Sequence, residues 1–205
     1  MKIKIINYPE NYKDLLYLAG RNCYGLEEIK EKTTKRSIDK FIYKLINNKH
    51  ESVLEHCNIS IYIKDVSRSL LAQLTRHRLC AYSVKSQHFV KHNNFKYKQL
   101  ETKILHGHYN KLMANINNFY DLLLKLDVPH YIAREVLPNS CLTNIFITTN
   151  VRQYRHIIKT RITFENTPEI QKLAHILLRE LYMVMPELFF DLVDKYEDDR
   201  PDLIA

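Results

Sequence analysis

Glycine is scarce. The chain of 205 residues holds three, Gly20, Gly25 and Gly107. They form neither GxGxxG nor GxxxxGK, so a Rossmann dinucleotide fingerprint and a P-loop are both excluded. Any nucleotide must be held by side chains and helix ends. Cysteine is sparse too: Cys23, Cys57, Cys80 and Cys141 contain no CxxC pair, and small, reduced, buried thiols are expected at all four. HESVLEH, residues 50–56, hints at metal ligation. Yet His50 and His56 are six apart, which is not zincin spacing, and no third ligand accompanies them; no metal is expected. No apolar run approaches the roughly 20 residues of a membrane span. The opening MKIKIINYPENY lacks an apolar signal core. A cytoplasmic protein with no membrane partner is expected.

What is present is cationic. Thirty-one Lys and Arg stand against 23 Asp and Glu, a formal net charge of +8. Such a surplus attracts nucleic acid, acidic membranes or phosphorylated small molecules. The basic residues recur beside aromatics and histidines rather than in a tail, a pattern that fits several phosphate pockets better than one nucleic-acid stripe. Hydrophobic residues make up 45%, enough for a core, and the length suits one domain, 1–205.

Periodicity predicts strands over 2–7, 56–63 and 142–149. The middle strand places Cys57, Ile59, Ile61 and Ile63 on one face. Helices are expected over 10–21, 36–48, 110–126, 151–161 and 168–185, with a short one after Pro129 and another from Pro186. A further helix, capped at Asp65 or Ser67, is expected to run to about Arg78. Residues 79–108 are polar, aromatic and irregular, and read as a long loop region. In the helix from 168, Ile170, Leu173, Ala174, Leu177, Leu181 and Val184 form a core stripe. Strands do not alternate regularly with helices, which is an α+β pattern.

Two clusters carry chemistry. RHRLCAYSVKSQHF, residues 76–89, sets Arg76, His77 and Arg78 at a helix end. Guanidinium groups grip phosphate oxygens bidentately, although basic residues also favour a helix C-terminus for its dipole alone. In TTNVRQYRHIIKTR, residues 148–161, Asn150 is a candidate helix cap and Arg161 closes the helix. Arg152, Arg155 and Lys159 are spaced to share one face, either a ligand wall or a solvated basic surface. His156 points elsewhere. Ser86 lies near His77 and His88 but has no acidic orienter, so a hydrolase triad is not indicated.

Together these segments resemble the flavin-dependent thymidylate synthases. That family carries Arg-His-Arg, seven residues, then Ser; here Arg76-His77-Arg78 is followed by LCAYSVK and Ser86. Preceding this are His50, Ser52, Glu55 and His56, a strand, and VSRSLLAQLTRHR. AREVLP (133–138), TTNVRQYRH (148–156), Arg161, Glu169-Ile170 and MPELF (185–189) follow in the family order. The resemblance implies a central antiparallel sheet with flanking helices in an intertwined homotetramer whose sites lie between subunits. It implies FAD as cofactor, with dUMP, methylenetetrahydrofolate and NADPH as partners, all anions. Carried over by position, Ser52, Arg76, His77, Arg78, Asn150, Arg152 and His156 would contact FAD. Gln73, Arg76, Ser86, His88 and Arg134 would hold dUMP. Arg161 would sit against the uracil edge as the catalytic residue, stabilising negative charge as N3 ionises.

Departures from the pattern keep alternatives open. Val84 stands where relatives have an acid, His88 where they have arginine, and Ala81 where serine is common. Asn166-Thr167-Pro168 replaces Ala-Gln-Trp before Glu-Ile. His88 exchanges a permanent charge for a titratable one. One alternative is therefore a divergent FAD protein that acts on another pyrimidine nucleotide or has lost catalysis. A basic nucleic-acid-binding protein is the remaining reading; no recognised binding module supports it.

Overall fold

The computed structural model describes residues 1–25 and 33–196. Four strands, β1 (Lys2–Asn7), β2 (Asn58–Ser67), β3 (Ala81–Val84) and β4 (Leu142–Asn150), form one antiparallel sheet in the order β1-β2-β4-β3. The helices are α1 (Tyr12–Asn22), α2 (Lys35–Asn47), α3 (Arg68–Leu74), α4 (His106–Lys125), α5 (His130–Ala133), α6 (Val151–Arg161), α7 (Pro168–Val184) and α8 (Pro186–Tyr196). The class is α+β, as the strand and helix pattern indicates. Among the described residues no helix is long and apolar enough to cross a membrane.

The chain divides into two compact units. The first comprises residues 1–2, 63–76 and 83–145; the second comprises 3–62, 77–82 and 146–205. The second holds most of the helices. Here α7 packs on α8, α1 on α2, and α6 on α7 and on the 3₁₀ turn Glu51–His56. Gly20 is what lets α1 approach α2: a Cβ there would stand 2.8 Å from Cζ of Phe41. A polar tie adds to this packing. Lys13 of α1 bonds Asp39 of α2 at 2.9 Å and Glu187 of α8 at 2.5 Å, while the Tyr12 hydroxyl donates to Glu187 at 2.6 Å. In the first unit, Phe95, Met113 and Cys141 form a small core under Tyr97, Tyr109, Ile116 and Leu137.

The strand expected over 56–63 runs over 58–67 instead, because Glu51–His56 is a 3₁₀ turn; Ile59, Ile61 and Ile63 of β2 are fully buried on one face as expected, as is Cys57 just before it. The α7 stripe is buried too, except Val184, which lies in the last turn and is half-buried. Of the two cap candidates Ser67 is borne out, and two further local expectations are corrected. The helix capped near residue 67 starts there, because the Ser67 side chain accepts from Leu70 N at 3.0 Å; Asp65 instead sits in β2 with φ 58°. That helix stops at Leu74, so Arg76-His77-Arg78 lies beyond it in irregular backbone. Residues 79–108 are not all loop, because β3 and a bridge from Tyr97 to Cys141 run through them. Of the cysteines, Cys57 and Cys141 are buried, while Cys23 is exposed and Cys80 half-buried. Cys23 follows the last turn of α1.

Candidate active site

The expected site residues divide between the two units. Ser52, His77, Arg78, Asn150, Arg152, His156 and Arg161 belong to the second; Gln73, Arg76, Ser86, His88 and Arg134 belong to the first.

In the second unit the sequence positions three of these side chains through α6. Asn150 is its N-cap, and its Oδ1 accepts from Gln153 N at 2.9 Å, leaving the amide group for another partner. His156 is one step beyond Arg155, so it emerges on the exposed side of α6 while Arg155 is buried. Arg161 ends the helix. From the irregular segment after α3, His77 turns inward between the exposed Arg76 and Arg78. Its ring meets that of His156 edge-on at 5.5 Å. Arg161 Nε donates to His77 Nε2 at 3.0 Å. A nitrogen that accepts carries no proton, so His77 is neutral and its proton resides on Nδ1. Local bonds hold the segment in place: the Tyr82 hydroxyl donates to His77 O at 3.1 Å, and the Thr149 hydroxyl to Leu79 O at 2.6 Å. Thus His77 joins His156 and Arg161 of α6, some eighty residues on, in one cluster.

Burial, and then the neighbouring charges of Arg161 and His156, push the His77 pKa down from 6.5 to about 4. The folded protein therefore refuses a proton that the unfolded chain accepts at about pH 6.5. Between the two values the unfolded state binds more protons, so stability rises with pH through that window and is complete above it. Lowering the pH from 6.5 to 4 should cost on the order of 3 kcal/mol through this side chain. Urea unfolding at several pH values, on wild type and His77→Gln, checks this. The variant should show a shallower slope below pH 6.5; identical slopes would remove His77 from the account. Burial holds the His92 imidazole down as well, so its contribution has the same sign.

Arg152, Arg155 and Lys159 do share one face of α6, but that face meets the Glu51–His56 turn through ion pairs and is not an open basic surface. Arg155 is 1% exposed. Its Nη1 and Nη2 each donate to Asp191 at 2.7 Å, Nη1 also to Leu188 O at 2.5 Å, and Nε to Glu51 at 3.2 Å. Lys159 donates to the same Glu51 oxygen at 2.8 Å. Burial alone would raise the Glu51 pKa; the Lys159 bond and the two cationic charges outweigh it and hold the carboxyl low. Arg152 is exposed and pairs with Glu55. The bonds of Arg152, Arg155 and Lys159 clamp both ends of the Glu51–His56 turn onto α6, and Ser52 rides on that turn.

Ser52 lines a cavity of about 550 Å³ together with Arg21, Cys23, Lys44 and His50. Arg21 Nε is buried with no hydrogen-bond partner among the described residues, and its guanidinium lies 5.7 Å from the Tyr24 ring centre. Arg21 and Lys44 are site candidates that sequence reasoning missed. Both sit within ordinary amphipathic helices, and only the fold turns them toward one space.

In the first unit, Ser86 starts a tight turn. Its hydroxyl accepts from His88 N at 3.0 Å and Phe89 N at 3.3 Å. Gln87, within that turn, and His92, shortly after it, are buried. Gln87 Nε2 lies 3.8 Å from Cys141 Sγ, and His92 N donates to the Tyr120 hydroxyl at 3.1 Å. His88 and Phe89 are thereby presented outward. The His88 ring lies 4.6 Å from Phe89 and 5.3 Å from Tyr131. Arg134 is exposed three residues after Tyr131, and Gln73 lies in the last turn of α3.

Residues 4–187 match the family described as thymidylate synthase complementing protein. The flavin-dependent thymidylate synthase of Clostridium tetani is 31% identical over 215 residues, covering 92% of this chain and 85% of its own. That of Geobacter sulfurreducens is 31% identical over 200 residues, covering 93% and 86%. A crystal structure of the flavin-dependent thymidylate synthase from Helicobacter pylori, complexed with FAD and dUMP, superposes with a TM-score of 0.77 at 23% identity. It covers 93% of this chain and 99% of that one. The likeness extends over the sheet and helices and establishes a common fold.

Proposed function

Since this chain belongs to the family of flavin-dependent thymidylate synthases, we propose that it converts dUMP to dTMP by reductive methylation, using FAD, methylenetetrahydrofolate and NADPH. The one-carbon unit passes to C5 of the uracil. NADPH supplies the reducing hydride, and tetrahydrofolate and NADP⁺ leave. The observation that carries the reading is the cluster of Arg161, His77 and His156, drawn from separate segments that the family pattern singles out. The reading includes a cytoplasmic homotetramer.

The residues present fit FAD. Arg21 Nε, buried with no hydrogen-bond partner among the described residues, and Lys44 share the cavity of Ser52, where cationic donors suit a diphosphate. Ser52, Arg76, His77, Arg78, Asn150, Arg152 and His156 would hold the flavin nucleotide. When bound, FAD supplies the redox and one-carbon chemistry. The protein's part is binding and polarisation. Gln73, Arg76, Ser86, His88 and Arg134 hold dUMP. Arg161 lies along the pyrimidine edge, where its charge favours loss of the N3 proton and so enriches C5 in electrons, with no cysteine adding to the ring.

The deciding experiment is dTMP formation by the FAD-loaded protein from dUMP, methylenetetrahydrofolate and NADPH. Full flavin occupancy with no dTMP would overturn the reading. The exposed His88, edge-on to Phe89 and tilted against Tyr131 in place of the family's arginine, favours one second reading, in which another pyrimidine deoxynucleotide is the substrate. The same assay run with those nucleotides separates the two. Arg78→Ala should purify without flavin colour while its circular dichroism stays that of wild type. A fully yellow variant would remove Arg78 from the cofactor site.

A further inference from the structure

The loop that joins α6 to α7 carries Asn166, one of the residues at which the chain departs from the family pattern. Its side chain reaches back to the end of α6. Nδ2 donates to Thr160 O at 2.9 Å, to Thr163 Oγ1 at 3.1 Å and to Thr163 O at 3.3 Å. Oδ1 accepts from Arg161 Nη1 at 3.2 Å. The loop is fixed from the other side by Gln171 of α7, which is 4% exposed. Its Nε2 donates to Asn166 O at 2.5 Å and to Phe164 O at 3.4 Å. A hydrogen-bonded line therefore runs from a buried residue of α7 through Asn166 to the guanidinium of Arg161, and on to His77.

We propose that Asn166 is a positioning residue for Arg161, setting the plane and reach of the guanidinium that polarises the pyrimidine; this rests on the reaction proposed above. The physical need is specific. Arginine has several rotatable bonds, and a catalytic cation gains most when it is already aimed where charge will develop. The bond from Nε to His77 fixes the stem. A second bond at Nη1 fixes rotation of the planar fork about that stem. Asn166 suits the task because one amide both closes the α6 end and offers an acceptor to the guanidinium. Alanine, the residue of the family pattern at this place, offers neither group, so here the work of holding Arg161 has shifted to a side chain of this chain's own.

The test uses the full-length, FAD-loaded protein. Asn166→Ala should lower kcat for dTMP formation roughly ten-fold, the worth of one hydrogen bond to a charged group, with little change in KM for dUMP. In an Arg161→Lys background, which has no guanidinium to orient, the same replacement should cost nothing further. A second readout needs no nucleotide. Arg161 beside His77 helps to keep that imidazole neutral, so freeing the guanidinium should move the His77 NMR titration midpoint upward in Asn166→Ala. In an Arg161→Ala background, Asn166→Ala should leave the midpoint where it is. An unchanged kcat and an unchanged His77 midpoint in Asn166→Ala would overturn the proposal. So would an equal loss of kcat in the Arg161→Lys background, which would mark Asn166 as loop structure only. If the wild type makes no dTMP, the enzymatic reading fails by itself, and the His77 titration still decides the contact.

Discussion

Arg161→Ala should lower dTMP formation by roughly 10²–10³-fold, the loss typical of removing one charge-stabilising donor from an active site. The residue stands at the end of α6 with its Nε on the buried, neutral His77 and its Nη1 on Asn166. Both contacts orient the cation without neutralising it, since each partner carries no charge. Arg161→Lys keeps the charge but loses the planar fork, so it should fall between wild type and the alanine variant. Turnover must be measured together with flavin content, so that lost cofactor is not counted as lost chemistry. Wild-type turnover in Arg161→Ala at full flavin occupancy would remove the residue from the mechanism.

Arg155→Ala should destabilise the fold by about 3–5 kcal/mol, the cost of breaking a buried ion pair from one side. The deletion strips Asp191 of both its guanidinium bonds, Glu51 of one cation and Leu188 O of its donor, and leaves a void. Charge can be told from packing by making Arg155→Met alone and then together with Glu51→Gln and Asp191→Asn. The single variant refills the space but leaves Asp191 without the Arg155 cation and Glu51 with Lys159 alone. The combined variant should recover much of the loss in a urea titration. Equal stability of the two would mean that packing, not charge, sets the cost.

The regular elements were legible in the sequence because apolar spacing records them directly. The ends of α6 and the buried face of β2 followed from periodicity and capping. The chemistry was legible only as residue types. Arg155 and Arg152 look alike in sequence, three positions apart on one helix, yet one is sealed in the interior and the other is exposed. The difference comes from Glu51 and Asp191, more than thirty residues away in either direction, and local spacing carries no trace of them. The stop of α3 at Leu74 was missed for a related reason. Nothing in LTRHR forbids a helix, but the inward turn of His77 toward Arg161 does. Asn166 showed as a departure from a pattern, and only its bonds reveal what it does.

The Glu51–His56 turn is too short to hold a shape of its own, and both of its acidic residues are grasped by α6. It therefore behaves as an outrigger of that helix, with Ser52 lashed to the same rigid body as Asn150, Arg152 and His156. A ligand that touches all four meets a wall set before it arrives, and little conformational freedom is surrendered on docking. The same rigidity couples their fates in heat. When α6 lets go, the whole wall should dissolve in a single step, so cofactor release and unfolding of the helix should share one melting curve.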